Sequence, residues 1–255
     1  MAELISRPEY LCKLVQNKDV DLIKIVTGIR RCGKSSLLDL FHSYLTANGV
    51  PESRIIHMNL ESVRYSNLTD YLAFYGYVSG HISKTEKTYL IFDELQAVSH
   101  WEKAVESFRI DFDVDVYITG SNARMLSREF ATLLSGRYVE IRMLPLSFSE
   151  FLDFYEFTPS ASIEEKFQKY LQFGGMPVLR EYQFNQQRSY DALDAIYNTV
   201  IVRDILQRNS GAEFGMLRKI MMFLSSSIGS ITPPSSICKV LTGEWDIIAG
   251  RGKNI

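Results

Sequence analysis

The chain has 255 residues, of which 46% are hydrophobic, 12% aromatic and 23% charged, a composition that supports a sizeable core and excludes disordered, collagen-like and coiled-coil classes. Twenty-eight basic side chains against thirty acidic ones leave a net charge of −2, so the chain as a whole does not advertise a nucleic-acid or membrane partner.

In chain order, the N-terminal stretch carries Glu3, Arg7, Glu9 and Lys13, which leaves no room for an apolar signal core. Five short runs rich in Val, Ile, Tyr and Phe then predict strands at Leu22–Thr27, Arg54–Leu60, Thr88–Asp93, Val114–Thr119 and Tyr138–Leu144. Helical patterns separate them. Between the first two runs, Leu37, Leu38, Phe41, Tyr44 and Leu45 recur at the spacing of an amphipathic helix over Ser35–Ala47, stopped by Asn48-Gly49. This alternation predicts an α/β fold over residues 1–146, three αβα layers around a mainly parallel five-stranded sheet. After Pro145 the strand pattern ends, and residues 147–210 predict a smaller all-helical module broken at Thr158-Pro159-Ser160 and Gly174-Gly175-Met176-Pro177. Residues 211–255 predict one further helix, a Pro-Pro break and a short apolar stretch, Ile237–Leu241. Cys12, Cys32 and Cys238 form no CxxC pair, which argues against a disulfide framework or zinc site and suits a reducing compartment. His42, His57, His81 and His100 are isolated in sequence and predict no histidine-held metal. With no run near the roughly 18 apolar residues of a membrane helix, the expected location is cytoplasmic, with no membrane partner.

The segment Gly28-Ile29-Arg30-Arg31-Cys32-Gly33-Lys34-Ser35 satisfies G-x-x-x-x-G-K-[ST] between a predicted strand and a predicted helix. Such a P-loop curls its backbone N–H groups inward around phosphate, and the following helix, continuing through Ser36, directs its positive end at the same anion. Lys34 would then reach the β- and γ-phosphates, and Ser35 would offer its hydroxyl to Mg²⁺. Arg30 and Arg31 are open to two readings, phosphate contacts or solvated arginines at a loop tip.

Fifty-nine residues after Lys34, the apolar run Tyr89-Leu90-Ile91-Phe92 ends in Asp93-Glu94, which puts two carboxylates at the C-terminal end of a buried parallel strand, where ligands of open α/β sheets bind. Asp93 is expected to hold Mg²⁺ indirectly, through the ion's bound waters, and Glu94 to orient or deprotonate an attacking water. The fourth strand ends in Thr119-Gly120-Ser121-Asn122, where Ser121 and Asn122 are candidates either for sensing the γ-phosphate or for capping the next helix. Arg137, just before the fifth strand, is either an arginine finger acting on a neighbouring subunit's nucleotide or a surface residue paired with Glu140 or another acid.

With these residues in view, the chain resembles the prokaryotic AAA-type P-loop ATPases that carry a helical lid, a winged-helix segment and a C-terminal domain of unknown function. The resemblance rests on GIRRCGKSS, YLIFDELQ followed by Trp101-Glu102, ITGSNARMLS, LSGRYVEI, LPLSFSEF and FGGMP, and runs from about Arg7 to Leu241. It implies ATP rather than GTP as ligand, with the loop from Gly28 to Ser36 binding it, Asp93 and Glu94 serving Mg²⁺ and hydrolysis, and Asn122 as sensor. It also implies that the fourth strand separates the loop strand from the acid-bearing strand, that Arg137 occupies the arginine-finger position of a homo-oligomer, and that 147–210 is the lid. The family's proteins are longer, so a truncated product is expected, ending in a partial winged-helix segment. Two function classes follow: an ATPase releasing phosphate, or a nucleotide-dependent switch or adaptor with little turnover. Residues 202–255 hold seven bases against four acids, a modest excess that gives DNA contact only weak support.

Overall fold

The structure, a computed structural model, describes residues 7–120, 134, 136–200 and 213–241. Strands β1 (Ile23–Thr27), β2 (Ile55–Asn59), β3 (Thr88–Asp93), β4 (Val114–Gly120) and β5 (Tyr138–Arg142) form one parallel sheet in the order β2-β3-β4-β1-β5. Each lies within two residues of its predicted run, and β4 separates β1 from β3.

Four helices cover the sheet: α1 (Pro8–Gln16), α2 (Lys34–Ala47), α3 (Tyr71–Ser79) and α4 (Trp101–Asp111). Because side chains alternate along a strand, each strand feeds two cores. Leu90 and Phe92 of β3 and Val116 and Ile118 of β4 pack with Phe74, Val78, Val105 and Phe108 from α3 and α4. Tyr89, Ile91 and Tyr117 point the other way, onto Leu14 of α1 and Leu37, Leu38 and Phe41 of α2. The result is a three-layer αβα fold. At the N-terminal ends of the strands a buried ion pair interrupts this apolar pattern: Lys24 of β1 meets Asp115 of β4, and its ammonium also donates to Val20 O at 2.6 Å. Burial pushes the Lys24 pKa down, with Asp115 opposing. Asp115 in turn accepts 2.8 Å bonds from Tyr117 Oη and from the Asp19 amide.

Beyond β5 the described elements are helical: α5 (Phe148–Phe154), α6 (Ile163–Phe173), a 3₁₀ segment (Pro177–Tyr182), α7 (Gln186–Thr199), α8 (Phe214–Ser226) and α9 (Pro234–Leu241). Capping boxes start α5 (Ser147 with Glu150) and α6 (Ser162 with Glu165), which fixes where each helix begins. Phe148, Phe151, Tyr155, Tyr170, Phe173 and Phe184 form an aromatic cluster that supplies this region with its own core. The chain divides into two compact units, Met1–Ala192 and Leu193–Ile255. Within the second, α8 and α9 pack on each other. No helix among the described residues is long and apolar enough to cross a membrane.

Candidate functional site

Parallel pairing brings the C-terminal ends of β1, β2, β3 and β4 to one edge, and the turn from β1 into α2 starts there. Since β1 sits between β4 and β5 while its helix leads away to β2, this is a switch point of the sheet, where a crevice opens. The loop leaving β1 passes hard against the exit of β5, whose Met143 amide donates to Thr27 O at 2.7 Å. Gly28 makes that passage possible. With φ +151, a Cβ there would fall 2.4 Å from Met143 O and 2.9 Å from Cys32 Sγ. Cys32 is buried under the loop, and burial pushes its thiol pKa up. Ile29 lies on the exposed side. Lys34 is buried and folds its ammonium back on the loop, donating to Gly28 O at 3.1 Å and Ile29 O at 3.0 Å. Ser35 and Ser36, in the first turn of α2, are exposed toward the crevice, and that turn leaves backbone N–H groups without intrahelical acceptors.

The acids stand opposite. Asp93 is buried and its carboxylate is held from two sides, by the Thr119 hydroxyl on one oxygen and by Asn59 Nδ2 at 2.9 Å on the other. Glu94 turns off the strand in a left-handed conformation, φ +55, and its amide donates to Thr119 Oγ1 at 3.0 Å. One threonine therefore orients both acids. Gln96 donates to the Glu94 carboxylate. Asn59 is opposite Asp93 in the β2–β3 register, and its Oδ1 accepts the Glu61 amide at 3.0 Å. The Glu61 carboxylate pairs with Arg30 at 3.1 Å. Hydrogen bonds thus run unbroken from the loop arginine through Glu61 and Asn59 to Asp93, Thr119 and Glu94.

Loop and acids line one cavity of about 560 Å³, together with Pro177, Val178 and Glu181 of the 3₁₀ segment. That segment is set in place through Gly175, whose carbonyl accepts the Leu146 amide at 2.7 Å and whose Cα lies so near Leu146 that a Cβ would stand 2.2 Å from Leu146 O. The GGMP run therefore joins the β5 exit to the cavity wall.

Three cations, Arg30, Arg31 and Lys34, face four carboxylates, Glu61, Asp93, Glu94 and Glu181, across this cavity. A polyanion alone would suit the loop side and be repelled by the other; a phosphate chain carrying a divalent cation suits both. The nitrogen Nε of Arg30 is buried without a hydrogen-bond acceptor, a donor left over at the loop side. Ser35, expected to put its hydroxyl on Mg²⁺, and Asp93, expected to hold the ion through its waters, border the same space and offer oxygens of the kind this hard cation takes. The residues present fit the ion.

Of the expected site residues, Gly33, Lys34, Ser35, Ser36, Arg30, Arg31, Asp93 and Glu94 converge on the cavity. Arg137 does not. It is exposed beside the N-terminal end of β5, its carbonyl accepting the Ile23 amide at 3.0 Å, and so lies at the opposite end of the sheet from its own loop. Glu140 is not its partner, since the Glu140 carboxylate accepts Thr27 Oγ1 at 2.6 Å; an acid that feels its charge is Asp21, whose pKa is lowered mainly by Arg109 and further by Arg137. Ser121 and Asn122 fall outside the described residues. Asn59, Glu61 and Glu181 were missed by the sequence reading. The signal for Asn59 was a polar residue ending an apolar strand, the same pattern that revealed Asp93. Similarly, His42 and His57, distant in sequence, meet across α2 and β2 with 3.1 Å between their Nδ1 atoms, and Glu52 lies 3.0 Å from His42 Nε2.

An uncharacterized protein of Haemophilus influenzae is 37% identical over 243 residues, covering 94% of this chain and 60% of that protein. An uncharacterized protein of Methanocaldococcus jannaschii is 30% identical over 253 residues, covering 93% and 54%. The chain thus spans little more than half the length of these curated relatives. Among solved structures, a Walker-type ATPase of Pyrococcus abyssi superposes with a TM-score of 0.59 at 17% identity, covering 93% of this chain and 89% of that one, a likeness of fold. A family model described as an AAA domain matches residues 21–152, from the approach to β1 to the middle of α5 and more than half of the chain, and the chain belongs to that P-loop ATPase family.

Proposed function

We propose that the chain binds Mg²⁺-ATP in the cavity between loop and acids and hydrolyses it to ADP and phosphate. The observation that supports this most is Thr119, which ties Asp93 and Glu94 into one fixed pair facing Lys34 and Ser35. Backbone N–H groups of residues 28–36 bind the phosphates, and Lys34 leaves its two loop carbonyls to neutralise the β- and γ-phosphate oxygens. Ser35 would hold Mg²⁺ directly and Asp93 through its waters; the bound ion would supply positive charge to offset that of the γ-phosphate. Glu94 orients the attacking water and takes its proton. Asn122, two residues beyond β4 in sequence, serves as sensor, and the segment after Pro145 acts as a lid that excludes water through Pro177, Val178 and Glu181.

Arg137 would act on a neighbouring copy's nucleotide, because its own loop is at the far end of the sheet. That placement also favours the second reading, in which an isolated protomer binds ATP and turns over little. Phosphate release from Mg²⁺-ATP, measured across protein concentrations beside Lys34→Ala and Glu94→Gln, tests both. Turnover that rises in specific activity with concentration, is lost in Glu94→Gln with ATP still bound, and is lost in Lys34→Ala supports the ATPase. ATP binding without phosphate at any concentration supports the switch, and absence of ATP binding by the wild type refutes both.

A further inference from the structure

Arg7 precedes α1 and lies outside the cavity, yet it is the most fully engaged side chain near it. The residue is 3% exposed. Its Nε and Nη2 donate to the two carboxylate oxygens of Glu150 at 2.7 and 2.8 Å. Its Nη1 donates to Leu144 O at 2.8 Å and to Cys32 O at 3.2 Å, and Nη2 reaches Pro145 O at 3.5 Å. The guanidinium also lies 4.4 Å from the centre of the Tyr10 ring, and Tyr10 Oη accepts the Leu144 amide at 3.2 Å.

Three parts of the chain meet at this one group. Cys32 belongs to the phosphate loop, directly before Gly33 and Lys34; Leu144 and Pro145 are the exit from β5; Glu150 is the N3 residue of the α5 capping box. Although burial works to raise the Glu150 pKa, the bonds from Arg7 and Ser147 hold its carboxyl below the usual range. Core packing alone does not call for such a residue, because a buried ion pair is often no more stabilising than an apolar pair of the same volume. Specific to arginine is the planar fork, which can hold a carboxylate bidentately while its other edge grips carbonyls.

We propose that Arg7 is a positioning residue for the phosphate loop: by clamping the Cys32 carbonyl against Leu144 and Glu150, it sets the curl in which the N–H groups of Gly33, Lys34 and Ser35 face the cavity, and it ties that curl to the first helix beyond the sheet. This rests on the ATP-binding reading above, but its consequence for the loop does not need nucleotide. Cys32 is the reporter, since its thiol is buried beneath the loop while Cys12 and Cys238 are exposed.

The experiment uses the full chain with Cys12→Ser and Cys238→Ser, so that Cys32 is the sole thiol. Three variants in that background are compared: Arg7→Lys, which keeps charge and loses the fork; Arg7→Met; and Arg7→Met with Glu150→Leu, which replaces the ion pair by an apolar pair and leaves no buried charge stranded. Urea unfolding identifies which are as stable as the parent, and each is then read by the rate of Cys32 labelling with a thiol reagent and by ATP affinity from calorimetry. The expected result is labelling about tenfold faster and ATP binding about tenfold weaker in Arg7→Lys and in the stable double variant, because the loop opens locally while the fold holds. A purely structural Arg7 predicts the opposite: stability restored in the double variant, with labelling and affinity at parental values, and that outcome overturns the proposal. Should the double variant fail to fold, Arg7→Lys with parental labelling overturns it equally. If the parent binds no ATP, the proposed function fails, and the labelling rates still decide whether Arg7 shapes the loop.

Discussion

Replacing Gly175 with alanine probes how the helical region is joined to the cavity. The new methyl would stand 2.2 Å from Leu146 O and 3.0 Å from Leu146 N, and because real Cβ atoms essentially never come closer than 3.0 Å, the two segments must part by about 0.8 Å. Gly175 has no positive φ, so the cost is contact and not backbone conformation. The 2.7 Å bond from the Leu146 amide to Gly175 O would stretch past 3.2 Å, and the 2.9 Å bond from Tyr170 Oη to Leu146 O would be disturbed with it. Stranding one buried backbone pair costs about 1–3 kcal/mol, and with the second bond disturbed the expected loss is about 2–4 kcal/mol. At a denaturant dependence of about 2 kcal/mol per molar, the urea midpoint falls by about 1–2 M. ATP affinity should weaken as well, because the displacement passes to Pro177 and Val178 on the cavity wall. Gly174→Ala isolates the backbone cost: nothing lies within 4 Å of its Cβ, and its φ of +73 with ψ of −174, a conformation nearly confined to glycine, is penalised by about 1–3 kcal/mol. A Gly175→Ala midpoint indistinguishable from wild type would refute the reasoning, since it would mean that the strand exit and the turn relax apart freely.

Thr119→Val keeps the shape of the side chain and removes both bonds to the acids, so phosphate release should drop at least about tenfold while ATP affinity changes by less than about threefold; steady-state kinetics showing a KM effect alone would contradict this. Lys24→Met strands the Asp115 carboxylate in the core and should lower unfolding free energy by about 3–5 kcal/mol, measured in urea; a loss under about 1 kcal/mol would show that water reaches the pair. Burial holds His57 below its ordinary pKa; Asp39, Asp93 and Glu52 oppose and His42 adds repulsion. A base depressed in the folded state contributes stability that is complete above its unfolded pKa of about 6.5 and declines as pH falls through that value toward the folded one, so melting temperature should fall between pH 7.5 and pH 5 in a manner His57→Gln abolishes.

The sheet was legible because each strand is a short apolar run bounded by turns, and β3 ends in Asp93 and Glu94, whose charge marks where it leaves the core. The loop was legible because its spacing is a local property of the chain. Asn59 and Thr119 were harder to see, since their role depends on register: Asn59 gains significance only once β2 is paired with β3 and placed across from Asp93. Arg7 is the extreme case. Its partners Cys32 and Glu150 are 25 and 143 residues away, and in the sequence it reads as one charge among several near the N-terminus. Lys24 likewise sits in an otherwise apolar strand, and only the fold supplies Asp115, 91 residues on. Helix α1 has a similarly faint signal, as its two buried residues, Tyr10 and Leu14, make too short a stripe to stand out until α2 packs beside it.

The left-handed backbone of Glu94 bears on how this protein would evolve under selection for heat resistance. A residue with a Cβ at φ +55 holds about 1 kcal/mol of conformational strain that glycine would not, so Glu94→Gly relaxes the chain at that point while deleting the acid that faces the cavity. Under the proposed function, screening a mutant library for thermal survival alone would therefore enrich a stable protein that no longer releases phosphate, with the substitution at position 94 exchanging an acid for a relaxed backbone.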